Sequence, residues 1–281
     1  MTVIALTSAK GSPGVTTTAL ALAWVWPEVA PGRRVMVVDA DMAGGDIASG
    51  YLGGAVSAMD GLLGLAGDRP VDRAAALWEH VIALDDEGTR LLLTGISEPG
   101  QARALVGIWS SLAEVFAQLD DEDPPVDVLL DLGRLGAPHE ATILRERADM
   151  VLLVLRSSLV SIASARSAVR RLREERGVAD GSALSLGCLL VGEDQPYRAS
   201  EISESVGLAV TTTLAWDQSA AAVLSAGAPA NWRFARSPLM RSARASVAAI
   251  RVERLTDDVD SGQPDWVPVT GVANRLGQRH G

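Results

Sequence analysis

Met150-Val151-Leu152-Leu153-Val154-Leu155 places six apolar side chains in succession, where a strand with one wet face would alternate apolar and polar residues. Such a run suits a strand covered on both faces by helices. Comparable β-branched or leucine-rich runs recur at Val3 to Thr7, Arg34 to Asp39, Arg90 to Thr94, Val126 to Leu132, Leu184 to Gly192 and Val210 to Leu214. Between them lie stretches of helical periodicity: Thr16 to Trp26, Arg73 to His80, Gln101 to Leu119, Ser158 to Arg176, Arg198 to Val206, Gln218 to Ala226 and Pro238 to Leu255. The alternation predicts an α/β fold, a mostly parallel twisted sheet flanked by helices on both faces. Only 4% of the residues are aromatic, so Ala, Val, Leu and Ile must build the core. A chain of 281 residues is near the upper size for one core. We expect a single domain over residues 1–255 and a poorly ordered tail over 256–281, where the pattern dissolves into Asp, Gly, Pro and isolated valines. Asp120-Asp121-Glu122-Asp123-Pro124-Pro125 reads as a solvated connection into the next strand.

Several function classes drop out. Cys188 is the only cysteine, which excludes an intrachain disulfide and any zinc site built on paired thiolates, and fits a reducing cytoplasm. His80, His139 and His280 lack metal-binding spacing. No basic stretch precedes an apolar one at the N-terminus and no apolar run has spanning length, so neither secretion nor an integral membrane segment is expected. A net charge of −10 disfavours attraction of the whole surface to nucleic acid, while leaving room for a local basic patch.

The first apolar run leads into Ser8-Ala9-Lys10-Gly11-Ser12-Pro13-Gly14-Val15-Thr16-Thr17-Thr18 and then a helix. A glycine-containing loop between strand and helix N-terminus is where a P-loop cradles phosphate with backbone amides. Lys10 stands out there as the single lysine among 25 basic residues. It is either a remnant of an arginine-dominated composition or a site that needs a compact, mobile ammonium.

Lys10 to Ala23 resembles the deviant Walker A segment of the ParA/MinD family, K-G-G-V-G-K-T-T-T-A-L-N-L-A, matching at Lys10, Gly11, Gly14, the Thr16-Thr17-Thr18 run, Ala19, Leu20, Leu22 and Ala23. The resemblance extends over about residues 1–250. Arg34 to Asp46 is similar to the family's second strand and switch I, Val126 to Gly133 to its Walker B and switch II, Ala148 to Val154 to the following strand, and Leu214 to Ala222 with Gly227 and Pro229 to its late helix segment. It implies ATP or ADP with Mg²⁺ as cofactors. Gly11, Ser12, Gly14, Val15, Thr16 and Thr17 would lie at the nucleotide, and Thr16, Asp39 and Asp131 at the metal. Asp41 would orient water, and Lys10 would reach a partner's nucleotide across a homodimer. Polar strand-end capping is the alternative role for Asp39 and Asp41.

The departures from the pattern carry equal information. Val15 replaces the lysine that ordinarily precedes the Mg²⁺-binding threonine, Ser12 replaces a glycine, and Pro13 lacks an N–H. Leu190-Val191-Gly192-Glu193-Asp194 lacks the family's adenine-contacting Asn. Nucleotide binding is therefore expected more readily than hydrolysis. The degenerate loop is nearest to TadZ/CpaE-like members, which implies a cytoplasmic dimer serving a membrane-associated machine such as a Tad-type pilus or secretion system. The alternatives are a DNA-partition ATPase, using Arg241, Arg244, Arg251 and Arg254 on one helix, and a pseudo-ATPase scaffold that binds no nucleotide.

Overall fold

The structure is a computed structural model that describes residues 3–10, 13–57, 59–68, 72–175 and 185–261, with side chains described as far as Val252. Its first half runs β1 (Val3–Ser8), α1 (Val15–Val29), β2 (Arg34–Asp39), α2 (Leu62–Gly67), α3 (Arg73–His80), β3 (Ile82–Ala83), β4 (Arg90–Leu93), α4 (Ala102–Leu105) and α5 (Trp109–Gln118). The second half runs β5 (Val126–Arg134), α6 (Thr142–Arg147), β6 (Met150–Arg156), α7 (Leu159–Glu175), β7 (Ser185–Val191), α8 (Ala199–Val206), β8 (Val210–Leu214), α9 (Gln218–Ala226) and α10 (Pro238–Ser261).

The eight strands form one sheet in the order β3-β4-β2-β5-β1-β6-β7-β8, parallel at every pairing except β3 with β4. This is the expected α/β architecture. Alternation along β1 divides its side chains between two cores. Ile4 and Leu6 join Leu20, Leu22, Leu224, Met240 and Val247 under α1, α9 and α10. Val3 and Ala5 join Leu77, Phe116, Leu144, Val169 and Ile202 under α3 and α5 to α8. Burial on both sides explains why β6 is apolar almost throughout.

A polar network ties the end of the sheet opposite the site to α1. The buried Asp127 carboxylate accepts 2.8 Å hydrogen bonds from Trp26 Nε1 and Arg33 Nε, and Arg33 also bonds Asp120 at 2.6 Å. The acidic connection at 120–125 thus serves as an anchor for Arg33 as well as a solvated link.

Some elements differ from expectation. The helix predicted over Gln101 to Leu119 is broken into a turn at Pro99–Gln101, α4 and α5, with Gly107, a poor helix former, lying in the gap. The two-residue β3 and the short α2 and α6 lack enough length to show periodicity. α10 continues beyond Leu255 to Ser261, up to the first glycine after Pro238. Residues 262–281 of the expected tail lie outside the described residues. Among the described residues no helix is long and apolar enough to cross a membrane.

Candidate nucleotide site

The parallel strands β1, β2, β5, β6, β7 and β8 end on the same edge of the sheet, and the chain's direction across the sheet switches around β1. Its next helical crossover leads to β2 on one side of β5, whereas β6, β7 and β8 extend the other way. Ligands of open α/β sheets bind at the carboxyl ends of strands at such a point. A cavity of about 530 Å³ opens there. Its walls include Gly14, Val15, Thr16 and Thr17 of the loop and α1, Asp41 after β2, Arg134 closing β5, and Trp216 after β8.

Gly14 caps α1 at φ 95°, in the left-handed region that favours glycine. Among the described residues no side chain caps this helix, and no acidic residue stands in its first turn, so its N-terminal amides are left for an anion. Lys10 is exposed and does not line the cavity of its own chain. Gly11 and Ser12 lie outside the described residues. Val15, in the lysine's place, is only 6% exposed and packs into the apolar core while its surface also lines the cavity. It brings no charge to the site.

Asp39, the last residue of β2, and Asp131, near the end of β5, are register partners, and both are buried. Asp131 Oδ1 accepts from the Gly133 N–H at 3.0 Å, but Asp131 Oδ2 and Asp39 Oδ1 have no hydrogen-bond partner among the described residues. Burial is the main force raising the Asp131 carboxyl to about 6, and the carboxylates of Asp41 and Asp46 add to it; the Thr16 hydroxyl and the Gly133 N–H oppose the rise. The Asp39 carboxyl is pushed well above its ordinary value by burial first and then by Asp131 and Asp41. Burial also raises Asp41, against the Ala43 N–H at 2.8 Å and the charge of Arg134. Gly133, at φ 57°, packs directly on the Asp41 carboxylate, where a Cβ would collide.

Two orphaned buried carboxylate oxygens in a field of like charge fit a divalent cation, which would supply the missing partner. Among the described residues no group of three or more His, Cys, Asp or Glu side chains forms a cage that could hold one. A cation here would therefore complete its shell with phosphate oxygens and water, the usual habit of Mg²⁺ at a nucleotide. Thr16, Asp39, Asp41 and Asp131, the residues that the resemblance named, are electrostatically linked to one another in the structure.

The far end of the cavity is apolar and aromatic. Val191, Leu214, Trp216 and Leu239 line it, and the Arg156 guanidinium stacks 3.8 Å over the Trp216 ring. Sequence reasoning found the absence of the adenine-contacting Asn here but not this platform. It also passed over Arg134, whose only signal was its place directly after Asp131-Leu132-Gly133.

No family model and no curated protein sequence matches the chain. Solved structures do. A ParA family ATPase from Chlorobium tepidum is 18% identical with a TM-score of 0.64, over 88% of this chain and 97% of that one. The MinC:MinD cell division protein complex of Aquifex aeolicus matches at 14% identity and a TM-score of 0.65, covering 96% and 99%. Cobyrinic acid a,c-diamide synthase from Mycobacterium smegmatis, with bound ADP and magnesium, matches at 22% identity and a TM-score of 0.56, covering 95% and 100%. The fold is that of the ParA/MinD P-loop NTPases.

Proposed function

We propose that this chain is a ParA/MinD-like protein that binds ATP or ADP with Mg²⁺, hydrolyses it slowly or not at all, and positions or scaffolds another assembly as a dimer. The observation that carries the reading is the convergence, on one cavity, of the uncapped N-terminus of α1, the Thr16 and Thr17 positions and Asp41, with the buried Asp131 bonded to the cavity-lining Gly133 and the buried Asp39 within the field of Asp41. Phosphates would lie on the α1 amides, including those of Val15, Thr16 and Thr17, with Gly11 and Ser12 continuing the loop. Thr16, Asp131 and Asp39 would hold the hydrated Mg²⁺, which would spread the charge of the phosphates. Asp41, half-buried beside Gly133, would orient water.

Val15 withholds the lysine charge that ordinarily stabilises the developing negative charge on transferred phosphate, so turnover suffers more than binding. Lys10, exposed outside its own cavity, is free to reach the nucleotide of a second copy. The finer placement is a TadZ/CpaE-like, peripheral role at a membrane machine such as a Tad-type pilus. It rests on the degenerate loop, and the MinD of the matched complex, bound to MinC, offers a precedent for a protein partner.

The DNA-partition reading has weaker support. Arg244 pairs with Glu28 at 2.7 Å, Arg241 donates to the Arg236 carbonyl at 2.7 Å, and Arg251 lies 3.9 Å from Asp127. Those guanidiniums are occupied within the fold rather than arrayed for phosphates.

Sedimentation of wild type and Lys10→Ala with and without Mg-ATP tests the dimer, alongside phosphate release. We expect a nucleotide-dependent dimer in the wild type only, with little phosphate released. Identical sedimentation of both proteins under both conditions, or turnover equal to that of ordinary family ATPases, would overturn the reading.

A further inference from the structure

The cavity has a charge problem that the loop does not solve. Asp41 and Asp46 line it, the buried Asp39 and Asp131 are electrostatically linked to them, and a triphosphate would add several more negative charges beside them. One Mg²⁺ offsets part of this. The side chain that usually supplies the remaining cation is Val15, which is apolar and packed in the core.

Among the described residues that line the cavity, one is cationic, and it is Arg134. It follows Gly133, whose φ of 57° turns the backbone at the end of β5 beside Asp41. Its side chain lines the same cavity as Thr16, Thr17 and Asp41. No carboxylate of the described residues lies within ion-pair distance of it, in contrast to Arg33, Arg90, Arg145, Arg171 and Arg244. The other guanidinium near the cavity, Arg156, is stacked on Trp216 at the opposite end. Arg134 thus has a charge that is felt by Asp41 and remains open to an anion. A guanidinium presents a planar fork that matches phosphate oxygens in two-point contact.

We propose that Arg134 supplies in trans-loop fashion the cation that Val15 withholds, contacting the β- or γ-phosphate of the bound nucleotide from the β5 side of the cavity. The inference rests on the nucleotide-binding reading above and names the residue that makes it work without a P-loop lysine. A cation at this position is carried on the C-terminal end of β5 rather than on α1. Its contact with phosphate depends on how that strand end is seated, and binding becomes coupled to the Gly133 turn.

The test compares Mg-ATP, Mg-ADP and AMP binding by titration calorimetry in wild type, Arg134→Gln, Arg134→Lys and Val15→Lys with and without Arg134→Gln. A charge-assisted hydrogen bond is worth roughly 1.5–3 kcal/mol, so Arg134→Gln should weaken Mg-ATP and Mg-ADP roughly tenfold to a hundredfold, while AMP changes less than twofold or so. Arg134→Lys should recover part of the loss, because it restores the charge but not the two-point fork. In the Val15→Lys background the same Arg134→Gln change should cost much less, because a second cation then serves the phosphates. Wild-type affinity in Arg134→Gln, or an equal loss for ATP and AMP, overturns the proposal while leaving the nucleotide site intact. Absence of nucleotide binding by the wild type overturns the site reading and this proposal together.

Discussion

Asp131→Asn should stabilise the empty protein at neutral pH and impair its response to Mg-nucleotide. The Asp131 carboxyl, ordinarily near 3.8, stands at about 6 because burial and then neighbouring carboxylates oppose its charge more than the Thr16 hydroxyl and Gly133 N–H favour it. In the unfolded chain the group ionises near its ordinary value, so between about pH 4 and pH 6 the folded state holds more protons. Stability attributable to this residue therefore falls as pH rises through that window and stays reduced above it. About two pKa units at roughly 1.4 kcal/mol each give an upper bound of about 3 kcal/mol at neutral pH. Asparagine keeps an acceptor for the Gly133 N–H and removes the charge. At roughly 2–4 °C per kcal/mol, the variant should melt several degrees higher near pH 7.5, and the advantage should shrink to about half near pH 5. Urea unfolding in EDTA, followed through the seven tryptophans, measures it directly. A variant less stable than wild type at pH 7.5, or an equal gain at both pH values, would refute the argument. With saturating Mg-nucleotide the wild type should gain more stability than the variant, since only the ionised pair offers a cation its full field.

Other substitutions separate the site from the scaffold. Val15→Lys should raise Mg-ATP affinity by tenfold or more and cost the empty protein about 1–2 kcal/mol of lost burial, measured by calorimetry and urea unfolding respectively. Asp127→Ala should cost about 2–3 kcal/mol in urea unfolding, because it leaves the buried Trp26 N–H without a partner and the Arg33 guanidinium with Asp120 alone. Gly133→Ala combines a left-handed backbone with a collision against Asp41; a loss of more than about 1 kcal/mol and weakened Mg-nucleotide binding are expected in the same two assays.

Most of the sheet was legible because its signal is local. β2, β6 and β8 begin and end where the β-branched or leucine-rich runs do, and a parallel sheet buried on both faces accounts for six successive apolar residues in β6. Asp39 and Asp131 were legible for the same reason: an acidic residue ending an apolar run must face the strand ends, where a site can form. What depends on distant parts of the chain was not. The four arginines of α10 read as a potential cationic face until Arg244 is seen to meet Glu28, 216 residues away. The stacking of Arg156 on Trp216 joins residues from β6 and the turn after β8, and no spacing rule connects them. Arg134 lies one residue beyond the Val126 to Gly133 segment that carries the resemblance. A solitary arginine at a strand end carries no motif, and only the shape of the cavity gives it a role.

The central claim is that a loop lacking its lysine still holds a nucleotide with Mg²⁺ at the uncapped end of α1. Titration calorimetry of the wild-type protein with ATP, once with Mg²⁺ and once with EDTA, addresses it most directly. Saturable binding with a Kd tighter than about 1 mM, equivalent to about −4 kcal/mol, is expected with Mg²⁺, and clearly weaker binding is expected in EDTA. Absence of saturable heat at several times that concentration, with no Mg²⁺-dependent change, would contradict it.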